Sequence, residues 1–179
     1  VFNIEQCDGL KSDVESREMP EIVAESDTMA TINALPEKMG VSLFLRPQGN
    51  AFYSPSRDCI VMPERCQFDE VERYYTTLLH ESAHATGHRS RLNRIGITDN
   101  GGFGSEKYAF EELIAELTGA FMCAHVGIDN IVQNAAYLDS WIKVLKSDKK
   151  AIFRATSQAR EATDYLLEAL NQPALQQAS

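Results

Sequence analysis

The sequence lacks any long hydrophobic run, which excludes one class of protein at the outset. Within its 179 residues, no window approaches the roughly 18 consecutive apolar residues of a transmembrane helix. Residues Val1–Glu5 lack the basic start and apolar stretch of a secretory signal peptide, and no methionine opens the sequence. We therefore expect a piece of a longer protein. With 44% hydrophobic and 24% charged residues, its composition is typical of a globular domain.

Cysteine pairs and basic residues are also scarce. The four cysteines, Cys7, Cys59, Cys66 and Cys123, form no C-x-x-C motif, so we expect reduced thiols rather than a disulfide framework. The net charge is −9, which makes the chain a poor partner for the phosphate backbones of nucleic acids.

One local basic cluster consists of Arg89, Arg91 and Arg94. We interpret it as a solvated loop that complements the negative end of a preceding helix. The alternative is a patch that steers a substrate.

Histidine is rare, and two of the four histidines belong to one short motif. Residues 80–84 read His-Glu-Ser-Ala-His, an H-E-x-x-H pattern. On a helix, side chains at i and i+4 share a face, so His80 and His84 could bind the same metal ion. The glutamate between them, Glu81, is the usual general base of zinc hydrolases. The alternative is a pair of ordinary surface histidines beside an exposed glutamate.

The motif lies in a segment with helix signals at both ends. Asp69 is expected to be the N-cap, and Gly87 a left-handed stop. Between them, apolar and small residues recur at helical spacing, which predicts a helix over about residues 70–86 with one side in the core. These residues are Val71, Tyr74, Tyr75, Leu78, Leu79, Ser82 and Ala83.

A second helix is predicted over about residues 106–126, between the expected N-cap Ser105 and the expected stop Gly127. Its apolar face is expected to consist of Phe110, Leu113, Ile114, Leu117, Ala120, Phe121 and Ala124.

This second helix supplies candidates for the third protein ligand of a catalytic zinc ion. Glu112 and Glu116 lie one turn apart at the border of the apolar face, so one carboxylate could bind the metal while the other accepts the free N–H of a ligating histidine. The arrangement resembles that of the gluzincins. We predict Glu112 as the ligand and Glu116 as the outer partner, with Glu111 as the alternative ligand. A run of solvated glutamates is the competing interpretation.

His88, directly after Gly87, is a further candidate. The longer metzincin motif begins in the same way but has its third histidine at the position of Ser90. We therefore expect His88 to be a loop histidine near the cleft, with ligation or hydrogen-bond donation near the metal as alternatives.

The remaining sequence predicts a small antiparallel sheet ahead of the motif and helices after it. A helical pattern begins at Pro20 and ends near Leu35, and the glycine-rich residues 95–104 predict a mobile loop. Trp141 is interpreted as a core anchor. Other predicted elements are strands at 1–4, 41–45, 51–53 and 59–62, helices at 131–146 and 148–170, and a frayed tail at 172–179.

Taken together, these features resemble the C-terminal, zincin-like metallopeptidase domain of ArdC/TraC-type antirestriction proteins, which plasmids and other mobile elements carry. The resemblance covers nearly the whole chain. It rests on residues 1–6, 53–60, 74–88, 103–116 and 137–146.

The resemblance implies an α+β fold in which a small antiparallel or mixed sheet packs against a helical bundle. It implies one domain over residues 1–179, with residues 1–18 as an extended arm, and a bacterial cytoplasmic location. Family members also carry a basic N-terminal domain that binds single-stranded DNA. We expect that domain to be absent here, so DNA would be bound only through it.

The expected activity is zinc-dependent hydrolysis of peptide bonds. Zn²⁺ would be held by His80, His84 and Glu112 with a water in the fourth position, and Glu81 would take the proton of that water. His88 and Tyr108 are candidate donors to the oxyanion. The expected partners are a peptide or protein substrate and host restriction proteins, with no membrane.

Two other functions stay open. A zinc-containing interaction module could protect incoming DNA from restriction without turnover, and a metal-dependent hydrolase could act on a non-protein substrate. Mn²⁺ or Co²⁺ could replace Zn²⁺, since such a site accepts several divalent metals.

Overall fold

The computed structural model describes residues 27–99, 105–128, 141–142, 145–146 and 148–171. The predicted strand at 1–4, the start of the first helix at Pro20 and the tail at 172–179 lie outside these residues, as does most of the helix predicted over 131–146. In chain order the helices are α1 (Asp27–Asn33), α2 (Leu35–Lys38), α3 (Val71–Thr86), α4 (Ile95–Thr98), α5 (Glu106–Val126) and α6 (Ala151–Asn171). The strands are β1 (Ser42–Arg46), β2 (Phe52–Ser54) and β3 (Cys59–Pro63), and a 3-10 turn spans Arg65–Gln67.

The sheet is mixed rather than purely antiparallel. Its strand order is β1-β3-β2, with β2 antiparallel to β3 and β1 parallel to it. The short turn after β2 allows only an antiparallel hairpin with β3, so β1 pairs with the opposite edge of β3 and runs parallel to it. All five residues of β3 are buried, as expected for an apolar central strand.

The first helical segment ends earlier than predicted. Helix α1 stops at Asn33, and Leu35 begins the separate short helix α2. Pro36 has no N–H to donate to the carbonyl of Ile32, and its ring would clash with that carbonyl, so the helix cannot continue unbroken through this position.

Helix α3 confirms the prediction for the motif segment, but both of its ends differ in detail. Its N-cap is Glu70 rather than Asp69, and no side chain caps it; the Glu70 carboxylate instead lies 3.5 Å from Arg73. Gly87 ends the helix with φ −77°, which is right-handed and not the expected left-handed conformation. Its lack of a Cβ serves packing instead, since a Cβ there would lie 2.6 Å from Cγ1 of Ile97.

Helix α5 matches its predicted bounds and caps. The Ser105 hydroxyl accepts a hydrogen bond from the backbone N–H of Tyr108, and Gly127 adopts φ 74° as the left-handed stop. The buried face is displaced from the predicted one, because it must meet both α3 and α6. Phe121 is 38% exposed, whereas Thr118, Gly119, Met122 and Cys123 are buried.

Helices α3, α5 and α6 pack on one another, and the sheet packs on α3. Helix α6 confirms the predicted last helix and contributes a stripe of alanines to these contacts. Trp141 packs with Leu113, Ile114 and α6 in a smaller apolar cluster, as predicted. Part of the predicted loop at 95–104 is helical, since Ile95–Thr98 forms α4, which lies against α5.

Candidate metal centre

Two helices bring the predicted site residues together. Helix α3 carries His80 and His84 one turn apart, and their Nε2 atoms are 3.1 Å from each other. Helix α5 crosses α3 beside Gly119, where a Cβ would lie only 4.0 Å from the His80 backbone. In this arrangement the carboxylate of Glu112 lies against both imidazoles.

The side chains of His80, His84 and Glu112, which we call the inner group, lie at distances typical of metal ligands. Oxygens of Glu112 lie 3.5 Å from His80 Nε2 and 3.4 Å from His84 Nε2. Ligands about 2.1 Å from a tetrahedral metal ion lie about 3.4 Å from one another. Two imidazoles and one carboxylate also form a donor set that divalent transition metals accept. Among the described residues, these three form the group suited to a metal ion.

Each histidine makes a second contact through its other ring nitrogen. His80 Nδ1 lies 3.3 Å from Oε1 of Glu116, the residue for which we predict the role of outer partner. His84 Nδ1 lies 3.3 Å from Oε1 of Glu111, the residue that was the alternative ligand. Glu111 therefore faces away from the two Nε2 atoms. When the imidazole is neutral, a carboxylate that accepts Nδ1–H leaves Nε2 as the unprotonated nitrogen, aimed at the metal position.

The carboxylates control the protonation of the histidines. Burial alone would lower the pKa of His80, but hydrogen bonds to Glu112 and Glu116 raise it to about 10. Burial likewise opposes the effect of Glu111 and Glu112 on His84, whose pKa rises to about 9. Burial would raise the pKa of Glu112, whereas the two histidines lower it well below its usual value.

Glu81, the predicted general base, follows His80 in α3 and is 7% exposed. Within the described ranges, no side chain or backbone group forms a hydrogen bond or ion pair with its carboxylate. Its charge nevertheless acts on His80 and helps to raise the pKa of that histidine. Glu81 therefore has a carboxylate beside the inner group that is available for proton transfer.

The basic cluster forms neither a solvated loop nor a steering patch, but Arg91 and Arg94 do complement the end of α3, because they donate to the carbonyls of Ala85 and Ala83 in its last turn. Arg94 is 6% exposed, and its guanidinium binds Glu111 through two hydrogen bonds of 3.0 and 2.6 Å. Arg91 binds both carboxylate oxygens of Asp58 and the hydroxyl of Tyr53. The predicted solvent exposure was wrong for these two residues because each has an acidic partner distant in sequence. Arg89 is exposed.

His88 does not belong to the group of His80, His84 and Glu112 among the described residues. Its Nδ1 contacts the Ser90 hydroxyl at 2.7 Å and lies 3.8 Å from Asp58. Tyr108 is half-buried, one turn before Glu112 on α5, and so lies toward the same side of that helix.

The sequence did not reveal the contacts that Arg94 makes with Glu111, or those that Asp58 and Tyr53 make with Arg91. One signal could have pointed to Arg94: an arginine shortly after the motif helix could pair with the extra acidic residue in Glu111-Glu112. For Asp58, no local pattern marked Arg91 as its partner, 33 positions away.

The fold, together with the histidines and glutamates that its two helices bring into one group, defines the class of protein. The chain belongs to the zincin-like metallopeptidase family, whose match covers residues 30–158. Among its relatives, the DNA primase TraC of Escherichia coli is 39% identical over 93% of this chain. The resemblance to ArdC/TraC-type domains is thereby confirmed.

Solved structures of a relative have a fold similar to that of this chain. The antirestriction ArdC protein from the R388 plasmid, in its Mn(II)-bound form, is 38% identical, with a TM-score of 0.70 over 80% of this chain. Its metal-free form has a TM-score of 0.69 over 94% of this chain, at 36% identity. The α+β, zincin-like fold is confirmed.

The chain spans only part of each relative: 11% of the TraC protein and 53 to 59% of the two ArdC structures. In the part of the chain that the structure describes, no helix has the length and apolar character needed to cross a membrane.

Proposed function

We propose that this domain is a metal-dependent peptidase of the gluzincin type, with His80, His84 and Glu112 as ligands of one Zn²⁺. The observation that carries the proposal is the convergence of two imidazole Nε2 atoms, 3.1 Å apart, with the Glu112 carboxylate, whose two oxygens lie 3.5 Å from His80 Nε2 and 3.4 Å from His84 Nε2. Beside them, the Glu81 carboxylate has no hydrogen-bond or ion-pair partner among the described residues. The manganese in the ArdC relative makes Mn²⁺ an alternative occupant.

When bound, the metal ion supplies a Lewis acid that polarises a carbonyl and makes water a better nucleophile. Glu81 takes the proton of the attacking water and delivers it to the leaving amine. Glu116 and Glu111 keep the two imidazoles oriented, since each accepts an Nδ1–H. His88 and Tyr108 remain candidate donors to the oxyanion of the tetrahedral intermediate.

The test is a screen of a denatured protein and a mixed peptide library, with cleavage detected by mass spectrometry. Wild type loaded with Zn²⁺ is expected to cleave, and Glu81→Gln is expected to lose at least about 100-fold in rate, the contribution of general acid–base catalysis. Glu161→Gln, an exposed change on α6, is the matched control and should cleave normally. Equal cleavage by Glu81→Gln and wild type would exclude Glu81 as the base.

A second candidate is a metal-containing interaction module that acts in antirestriction without turnover. The name of the ArdC relative favours it, because that name records antirestriction rather than proteolysis. Its partners would be host restriction proteins in the bacterial cytoplasm, with DNA bound through another part of a longer protein. A plasmid-transfer assay into a restricting host separates the two: an interaction module protects DNA equally well with Glu81→Gln, whereas a peptidase does not.

A further inference from the structure

We propose that Arg94 is a positioning residue for the metal site, and that it acts through Glu111 on His84. The inference rests on the proposed role of His84 as a metal ligand. It assigns a third layer to the site: the ligand His84, the carboxylate that contacts its Nδ1, and the guanidinium that fixes that carboxylate.

The contacts of Arg94 leave its side chain little freedom. Its Nε and Nη2 hold the two oxygens of Glu111, its Nη1 donates to the Thr86 hydroxyl at 2.6 Å, and Nη2 also donates to the Ala83 carbonyl at 2.8 Å. Thr86 in turn donates to the same Ala83 carbonyl. A planar guanidinium that binds both carboxylate oxygens fixes the plane of the carboxylate as well as its position.

The geometry connects this clamp to the site. Glu111 Oε1 accepts from Arg94 and also lies 3.3 Å from His84 Nδ1. Both Ala83 and Thr86 belong to α3, the helix that carries His84. Arg94 therefore fixes Glu111 relative to α3, and Glu111 orients the histidine of that helix. Without Arg94, the buried Glu111 carboxylate would lose its cationic partner and would not be held in this position.

Two glycines leave the space that the clamp occupies. A Cβ on Gly87 would lie 2.9 Å from Nη2 of Arg94, and a Cβ on Gly96 would lie 2.5 Å from Cβ of Glu111 and 2.9 Å from its Oε2. Neither glycine has a positive φ, so the backbone conformation does not explain them. Close packing around the Arg94–Glu111 pair does.

The experiment compares metal affinity and stability in matched variants. Zn²⁺ affinity is measured by competition with a chromophoric chelator, Co²⁺ absorption reports the ligand geometry, and thermal unfolding of the metal-free protein reports stability. Arg94→Met removes the clamp, and Arg94→Lys keeps the charge without the planar fork. Arg91→Met is the control, since it loses an ion pair with Asp58 and a hydrogen bond to the Ala85 carbonyl of the same helix without touching Glu111.

Arg94→Met is expected to weaken Zn²⁺ binding about 10- to 100-fold and to change the Co²⁺ spectrum, as loss of an outer partner does. Arg94→Lys should recover part of the affinity. Arg91→Met should lower the unfolding temperature but leave affinity and spectrum unchanged. In the pair Arg94→Met with Glu111→Gln, the loss should not exceed that of Glu111→Gln alone, because Arg94 acts through Glu111.

Wild-type affinity in a folded Arg94→Met protein would overturn the positioning role, as would additive losses in the double variant. An equal loss of Zn²⁺ affinity in Arg91→Met would show that Arg94→Met acts through general destabilisation of the protein and not through the position of Glu111. If wild type binds no Zn²⁺, the metal site and the positioning role fail together. If it binds Zn²⁺ but cleaves no peptide, only the proposed peptidase activity fails.

Discussion

His80 and His84 each use both ring nitrogens. One nitrogen of each meets Glu112, and the other meets a carboxylate behind the ring. The negative surroundings hold the pKa of His80 at about 10 and that of His84 at about 9 in the metal-free protein. At neutral pH, a metal ion must therefore displace protons in order to bind.

The apparent Zn²⁺ affinity is accordingly expected to rise with pH between 6 and 8. Both pKa values lie above this window, so protons compete throughout it, and each displaced proton adds about tenfold in affinity per pH unit. Isothermal titration in buffers of different ionisation enthalpy gives both the affinity and the number of protons released. Binding that is independent of pH, with no proton release, would contradict the assigned histidine environments.

The inner residues could be predicted because H-E-x-x-H and the spacing of Glu112 and Glu116 are local helical patterns. The role of Arg94 could not. Its partner Glu111 lies 17 positions away, and a charged residue in a polar stretch is normally expected at the surface. The Arg94–Glu111 pair is buried because α4 packs against α5.

At the scale of elements, α5 meets its neighbours near two glycines that differ in the space around them. Gly119 on α5 faces the His80 backbone with room for a methyl group, whereas Gly96 on α4 lies directly against Glu111. The bounds of α3, α5 and α6 could be predicted from periodicity and caps. The strand order and the path of β1 could not, because they depend on tertiary packing rather than on local pattern.

These two glycines predict opposite outcomes for the same substitution. Gly119→Ala should be neutral or stabilising by up to about 1 kcal/mol, since alanine favours the helix and its Cβ meets only ordinary contacts. Gly96→Ala should destabilise the protein by about 1 to 3 kcal/mol, because its Cβ overlaps Glu111. It should also weaken metal binding. Denaturant unfolding and chelator competition measure the two effects, and a stable Gly96→Ala variant with normal affinity would contradict the packing around Glu111.

For the molecule as a whole, the histidines and the carboxylates belong to different helices, so only the folded chain assembles the site. Helix α6 and the sheet contribute no ligand, but they bury the other faces of α3 and α5 and hold the pair together. The sequence predicted this α+β plan, while the exposed Phe121 and the mixed sheet show where local patterns were insufficient.

Metal content per chain tests the central claim most directly. After dialysis against Zn²⁺ and removal of free metal, wild type should retain about one Zn²⁺ per chain by mass spectrometry. His80→Ala and Glu112→Ala should lose it, while Glu106→Ala, an exposed change on the same helix as Glu112, should keep it. A folded wild type without metal, or full retention in Glu112→Ala, would contradict the account of this site.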